Sequence, residues 1–257
     1  MHILLVNDDG IHAEGIRALC MALKKEGIRV TVVAPASERS GAGHSVSIKE
    51  PLFIRKVSDF PGAETAYTLS GTPSDCARAG LLCLCSEKVD AVLSGINHGA
   101  NLGSDCVYSG TVNAAMEAAM LGYPALAVSL CGRSGFEDAA KWGVNILHYL
   151  LNHPLPKGEF LNLNVPVPAR LKDAPPRWAE LAPIEYGRDF EKRVSLQGDE
   201  YIWLYGGYPS EKQAASLPQP RPGTDLALTA QGYATLSILG WNLSAKRQPT
   251  GEVALER

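Results

Sequence analysis

The chain has 257 residues, 27 acidic and 24 basic, for a net charge of −3; 46% are hydrophobic and 20% charged. That length suits one large domain, or a domain with an appended unit, with core enough to fold without a disulfide or a metal. The charge balance excludes a global field for nucleic acid or an acidic membrane, yet allows a phosphorylated substrate neutralised by a local cation.

The first apolar run, Ile3 to Val6, meets Asp8 and Asp9 at once, so no secretory leader is expected. No stretch approaches the ~20 apolar residues of a membrane span. The expectation is a cytoplasmic protein. Its six cysteines (20, 76, 83, 85, 106 and 131) would then be reduced and act as small hydrophobes.

In chain order, His2 to Asn7 reads as a buried strand. Ala13 to Glu26 reads as a helix, with Ile16, Leu19, Cys20 and Leu23 at helical spacing. Arg29 to Ala34 is a β-branched strand stopped by Pro35. Asp75 to Cys85 is a helix, Val89 to Leu93 a buried strand and Thr111 to Leu121 an Ala- and Met-rich helix. Ala125 to Leu130 and Glu137 to Leu151 repeat the strand–helix alternation. Short apolar strands alternating with helices imply a doubly wound, mostly parallel α/β sheet with right-handed crossovers.

The second half differs. Phe160 to Val165 is a strand, followed by Pro166, Pro168, Pro175, Pro176 and Pro183. Tyr186 to Tyr205 holds two strands around Gly198-Asp199, a hairpin signal. Ala214 to Gly223 reads as a loop or exposed arm, Asp225 to Gly232 as a short helix and Tyr233 to Leu239 as a last strand. The organisation is one domain over 1–257: an α/β catalytic core, 1–130, and a β-rich C-terminal part, 131–257. Extended hairpins with open edges often pair with another subunit.

In an open parallel sheet, ligands bind beyond the carboxyl ends of the strands. Asn7-Asp8-Asp9-Gly10 leaves the first strand there. Its adjacent carboxylates either form an exposed acidic turn or take a divalent cation as counter-charge. The loop 35–45 (PASERSGAGHS) is a solvated loop, or one that presents Ser40 to a metal or phosphate. The loop 94–103 (SGINHGANLG) offers amide oxygens and close backbone approach. Ser109-Gly110-Thr111 opens a helix whose N-terminus can hold an anion, can be capped by its own hydroxyl, or both. Jointly Asp8, Asp9, Ser40 and Asn97 are an all-oxygen set, suited to Mg²⁺ or Mn²⁺ rather than zinc. A cation beside a helix N-terminus is what phosphoryl hydrolysis needs.

These segments carry a resemblance. The chain resembles the SurE family, the survival-protein-E metal-dependent nucleotide phosphatases. The matching stretches are ILLVNDDGI (3–11), VVAPASERSGAGHS (32–45), GTPSDC (71–76), VLSGINHGANLGSD (92–105), YSGTVNAAMEAA (108–119), LNLNVP (161–166) and GTDLALTAQGYATLSIL (223–239). The resemblance implies a Rossmann-like core with metal ligands Asp8, Asp9, Ser40 and Asn97. It also implies hydrolysis of nucleoside monophosphates, and a homodimer or homotetramer built by exchanging C-terminal segments. Departures at Ala36, Ser45 to Ile48 and Leu236 to Leu239 touch no expected ligand and bear on substrate preference.

The expected activity is that of a 5′-nucleotidase, with 3′-nucleotides and polyphosphate as further substrates. Phosphate would sit on Ser40, Gly41, Asn97, Ser109, Gly110 and Thr111, with Asp8, Asp9 and His44 catalytic. One aspartate would orient or deprotonate water, and His44 would protonate or steady the leaving oxygen. Two other classes remain: a nucleotide- or metal-binding sensor without turnover, and a Rossmann-type transferase or dehydrogenase. The incomplete glycine fingerprint at Gly41-Ala42-Gly43 speaks against the latter.

Overall fold

The structure, a computed structural model, describes residues 1–184, 189–205 and 220–242. Strand β1 (His2–Val6) is buried along its whole length, and its side chains divide by alternation between two cores. Ile3 and Leu5 pack with helices α1 (Glu14–Lys25) and α4 (Phe136–Asn152) on one face. Leu4 and Val6 pack with α2 (Pro73–Ala79) and α3 (Gly110–Met120) on the other. A strand covered on both faces has no polar side, which is why HILLV reads as a continuous apolar run.

The remaining strands of this sheet are β2 (Arg29–Pro35), β3 (Ile54–Lys56), β4 (Thr65–Leu69), β5 (Ala91–His98), β6 (Ala125–Cys131), β7 (Glu159–Pro166), β8 (Arg177–Trp178) and β11 (Thr235–Gly240). Their order is β3-β4-β2-β1-β5-β6-β7-β11-β8. From β4 to β7 the neighbours are parallel; β3 and β11 run antiparallel to β4 and β7 at the two sides. This is the expected Rossmann-like, mostly parallel sheet. No helix among the described residues is long and apolar enough to cross a membrane.

Several boundaries differ from the sequence reading. Helix α2 begins at Pro73 rather than Asp75, because Thr72 caps it and Asp75 returns the bond to the Thr72 N–H, with Pro73 in the first turn. It passes into a π-helical turn at Gly80–Leu84. Strand β5 runs on to His98 instead of stopping at Leu93. Strands β3 and β4 were not foreseen: the one is three exposed residues, the other a polar, half-buried TAYTL. The sheet also runs on past residue 130, since α4 covers it and β7 and β11 extend it.

The C-terminal hairpin is present as β9 (Asp189–Val194) paired antiparallel with β10 (Glu200–Tyr205). Tyr186 of the expected hairpin, and residues 214–219 of the expected arm, lie outside the described residues. The short helix, here α5 (Asp225–Ala230), is capped by the Thr224 hydroxyl. Of the tryptophans, Trp142 packs against the core, while Trp178, Trp203 and Trp241 are exposed.

Candidate active site

The site lies where β1, β2 and β5 end beside the start of α3. Asp8 follows β1 directly and is only 3% exposed. Its carboxylate accepts hydrogen bonds from the Thr111 N–H (3.1 Å) and the Thr111 hydroxyl. The first turn of α3 is therefore seated on Asp8. A side chain at Gly110 would put its Cβ 2.7 Å from the Asp8 Cβ and 2.9 Å from Pro73 Cγ, so only glycine allows this approach. Ser109 caps α3 by accepting from the Val112 N–H at 3.1 Å. Among the described residues the Gly110 N–H makes no hydrogen bond, and it is a donor left for an anion at the helix's positive end.

Asn97 sits at the end of β5, just beyond a shift in the β5–β6 register between Gly95 and Asn97. Such a shift re-aims the side chains that follow it. Its Oδ1 lies 3.5 Å from the Thr111 hydroxyl, and its Nδ2 donates to the Gly99 carbonyl. Asp9 accepts from the His98 N–H at 3.1 Å. Thus Asp8, Asp9, Asn97, Gly110 and Thr111 are brought together from three segments.

Ser40 approaches from the loop after β2. That loop is tied to β1 by the Arg39 N–H, which donates to the Asp8 carbonyl at 2.7 Å. The exposed Ser40 hydroxyl donates to Glu38 Oε1 at 2.7 Å. Gly41 is exposed at the loop tip, and Gly43 donates to the Tyr108 carbonyl at 2.9 Å. His44 points its Nε2 at Glu117 on α3 (2.9 Å), and Arg78 pairs with the other oxygen of that carboxylate. The histidine is thus held on the flank of α3, not on Asp8 or Asp9. Its hydrogen bond, with that of Arg78, keeps the buried Glu117 below the usual carboxylate range, against the upward push of burial.

Burial and neighbouring charge act on both aspartates in the same direction. Burial pushes the Asp8 carboxyl up, opposed by the Thr111 hydrogen bonds and reinforced by Glu38. Burial and the neighbouring Asp8 charge push Asp9 up to about 6. Among the described residues no Lys, Arg or His forms an ion pair with either. Two adjacent carboxylates without a protein counter-charge are costly unless protonated or neutralised from outside. Among the described residues no three His, Cys, Asp or Glu side chains are placed to share a metal. A cation at Asp8 and Asp9 would therefore draw on neutral oxygens, and Ser40 and Asn97 are of that kind. The donor chemistry fits a hard divalent ion.

Three contributors were not singled out from the sequence. Glu38 engages Ser40 and adds its charge to both aspartates. Glu117 anchors His44; an acid within an otherwise apolar helix was the available signal. Asp75 accepts from the Ser47 N–H and hydroxyl, and Thr72 donates to the Ser45 carbonyl, so the cap of α2 clamps the far end of the Ser40 loop. The pattern Thr-Pro-Ser-Asp at 72–75 was legible as a capping box.

The model of the family described as "Survival protein SurE" matches residues 3–188, which include every site residue above. The chain belongs to the SurE family. A relative from Geobacter sulfurreducens is 39% identical over 98% of both chains. One from Crocosphaera subtropica is 39% identical over 95% of this chain and 90% of its own. Both carry the name 5′-nucleotidase SurE. The crystal structure of the SurE protein from Aquifex aeolicus superposes with a TM-score of 0.75, at 37% identity over 95% of each chain.

Proposed function

We propose that this chain is a divalent-metal-dependent phosphatase that hydrolyses nucleoside 5′-monophosphates to nucleoside and inorganic phosphate. One observation carries the reading: the Asp8–Asp9 pair, without a counter-charge among the described residues, abuts the N-terminus of α3, where the Gly110 N–H has no partner among those residues. The names of the relatives point the same way.

In this reading Asp8, Asp9, Ser40 and Asn97 would hold one Mg²⁺ or Mn²⁺ per subunit, which when bound would supply charge neutralisation for phosphate oxygens and lower the pKa of the attacking water. The Gly110 N–H, with Ser109 and Thr111, Ser40 and Gly41, orients the phosphoryl group. Asp9, partly open to solvent, takes the proton of the attacking water as the new P–O bond forms. The ester P–O bond breaks and the nucleoside oxygen leaves with a proton. With Nε2–H donated to Glu117, a His44 ring that carries a second proton on Nδ1 would supply it from there. 3′-Nucleotides and short polyphosphate present the same phosphoryl end and are further substrates of this arrangement.

A homodimer or homotetramer and a cytoplasmic setting complete the proposal. On the β9–β10 hairpin Phe190, Val194 and Ile202 are exposed on one face and Trp203 on the other, apolar side chains suited to contact with a second copy of the chain. All six cysteines are free; Cys20, Cys76 and Cys106 are buried as expected of core thiols, with burial pushing Cys20 and Cys106 up to about 12, whereas Cys85 and Cys131 are half-buried and Cys83, against expectation, is exposed. The test is phosphate release from 5′- and 3′-monophosphates and polyphosphate, with Mn²⁺, Mg²⁺ or chelator. Binding without release under any metal would overturn the phosphatase in favour of a sensor. A strictly monomeric mass in solution would overturn the assembly.

A further inference from the structure

We infer that Asp225, in the C-terminal segment, is a positioning residue for the start of α3, and so sets how tightly phosphate is held. The inference rests on the phosphatase reading of the site. Asp225 is 1% exposed, and its two oxygens gather three backbone N–H groups from different parts of the chain. Oδ2 accepts from Gly103 at 2.7 Å; Oδ1 accepts from Ala182 at 2.9 Å and from Leu226 at 2.8 Å. A buried carboxylate bonded to several N–H groups is a strong and directional clamp.

What it clamps is the approach to α3. Gly103 begins a 3₁₀ turn, Gly103–Val107. The Asp105 carbonyl in that turn accepts from both Tyr108 and Ser109 N–H groups. The Asn113 side chain, one turn into α3, donates back to the carbonyls of Cys106, Val107 and Ser109. Ser109 then caps the helix, and Thr111 meets Asp8. Bonds at Gly103, Asp105, Cys106, Val107, Ser109 and Thr111 tie this stretch together at most of its positions, and the Gly110 N–H lies between the last two of them. At the upstream side the loop is fixed as well: Asn101 donates to Asn164 and Ser129, and its carbonyl accepts from Asn162 and Asn164.

The 180–184 segment adds a second stitch. Ser104 Oγ accepts from the Ile184 N–H at 3.1 Å. A Cβ at Gly103 would fall 2.1 Å from the Ala182 carbonyl oxygen, so the two backbones touch directly. The loop feeding α3 is thereby laid against residues far along the chain, and Asp225 decides where it lies.

The experiment uses the full chain at saturating Mn²⁺. Inhibition of turnover by inorganic phosphate and KM for a nucleoside monophosphate are measured for wild type, Asp225→Asn and Ser104→Ala. Asparagine keeps the shape but turns an N–H toward one of the backbone donors. The expected result is a KM and a phosphate inhibition constant raised together, about tenfold in D225N and about twofold in S104A, with kcat changed less. A folded D225N with both constants unchanged overturns the inference, as does a loss confined to kcat. Should D225N fail to fold, S104A decides: an unchanged phosphate constant overturns it. Wild type without phosphate release overturns the phosphatase reading instead, and calorimetric phosphate binding by the same variants then decides this inference.

Discussion

Asp8 and Ser40 leave neighbouring parallel strands, yet they are held in different ways. Asp8 is buried, bonded twice to Thr111 and wedged against Gly110. Ser40 is exposed, bonded through its side chain to Glu38, on a loop tethered at Arg39, Gly43, His44, Ser45 and Ser47. One side is fixed by core packing, the other by a string of polar ties at the surface. The first should be intolerant of any change in volume. The second should lose binding without losing the fold.

The largest effect is expected where charge is removed. Asp9→Asn should lower metal-dependent phosphate release by at least about a hundredfold while leaving the circular dichroism spectrum intact; turnover near wild type would exclude Asp9 from the site. Next comes the packed side. Gly110→Ala should cost about 1–3 kcal/mol in thermal or denaturant unfolding and reduce activity, because α3 must back away from Asp8 and Pro73. An unchanged melting curve would mean that the wedge is not tight.

On the open side, Ser40→Ala should weaken Mn²⁺ binding, measured by calorimetry, by about tenfold. Its stability should stay within about 0.5 kcal/mol of wild type. Equal losses in both would erase the contrast between the two sides. The smallest effect is pH-dependent. Burial pushes the Asp75 carboxyl up, but its hydrogen bonds from Thr72 and Ser47 outweigh that and hold it below its ordinary 3.8. A carboxyl lowered by folding stabilises the protein above the unfolded value and loses that contribution as pH falls through the folded one. The stability gap between wild type and Asp75→Asn should therefore be constant from pH 7 down to about 5 and shrink below about 4. A gap that widens toward acid would contradict the clamp.

Much of this was legible because it is local. HILLV followed by Asp8-Asp9 announces a buried strand ending in charge; Thr72-Pro73-Ser74-Asp75 carries a capping-box signal that would have moved the helix start from Asp75 to Pro73. Strands β3 and β4 were not legible: an edge strand of exposed residues and a half-polar neighbour carry no apolar period, and their pairing alone makes them strands. The His44–Glu117 pair was not legible either. Those residues are 73 apart, and nothing near either announces the other.

By itself the sequence determined the α/β alternation, the acidic turn, the oxygen-rich loops and the family resemblance, all properties of contiguous residues. Only the tertiary structure decided that Thr111 secures Asp8, that His44 rests on Glu117, and that Asp225 reaches Gly103 across 122 positions. The physical reason is the same in each case. A buried polar atom must find a partner, and which one it finds depends on how the strands are ordered in the sheet rather than on its neighbours in the chain.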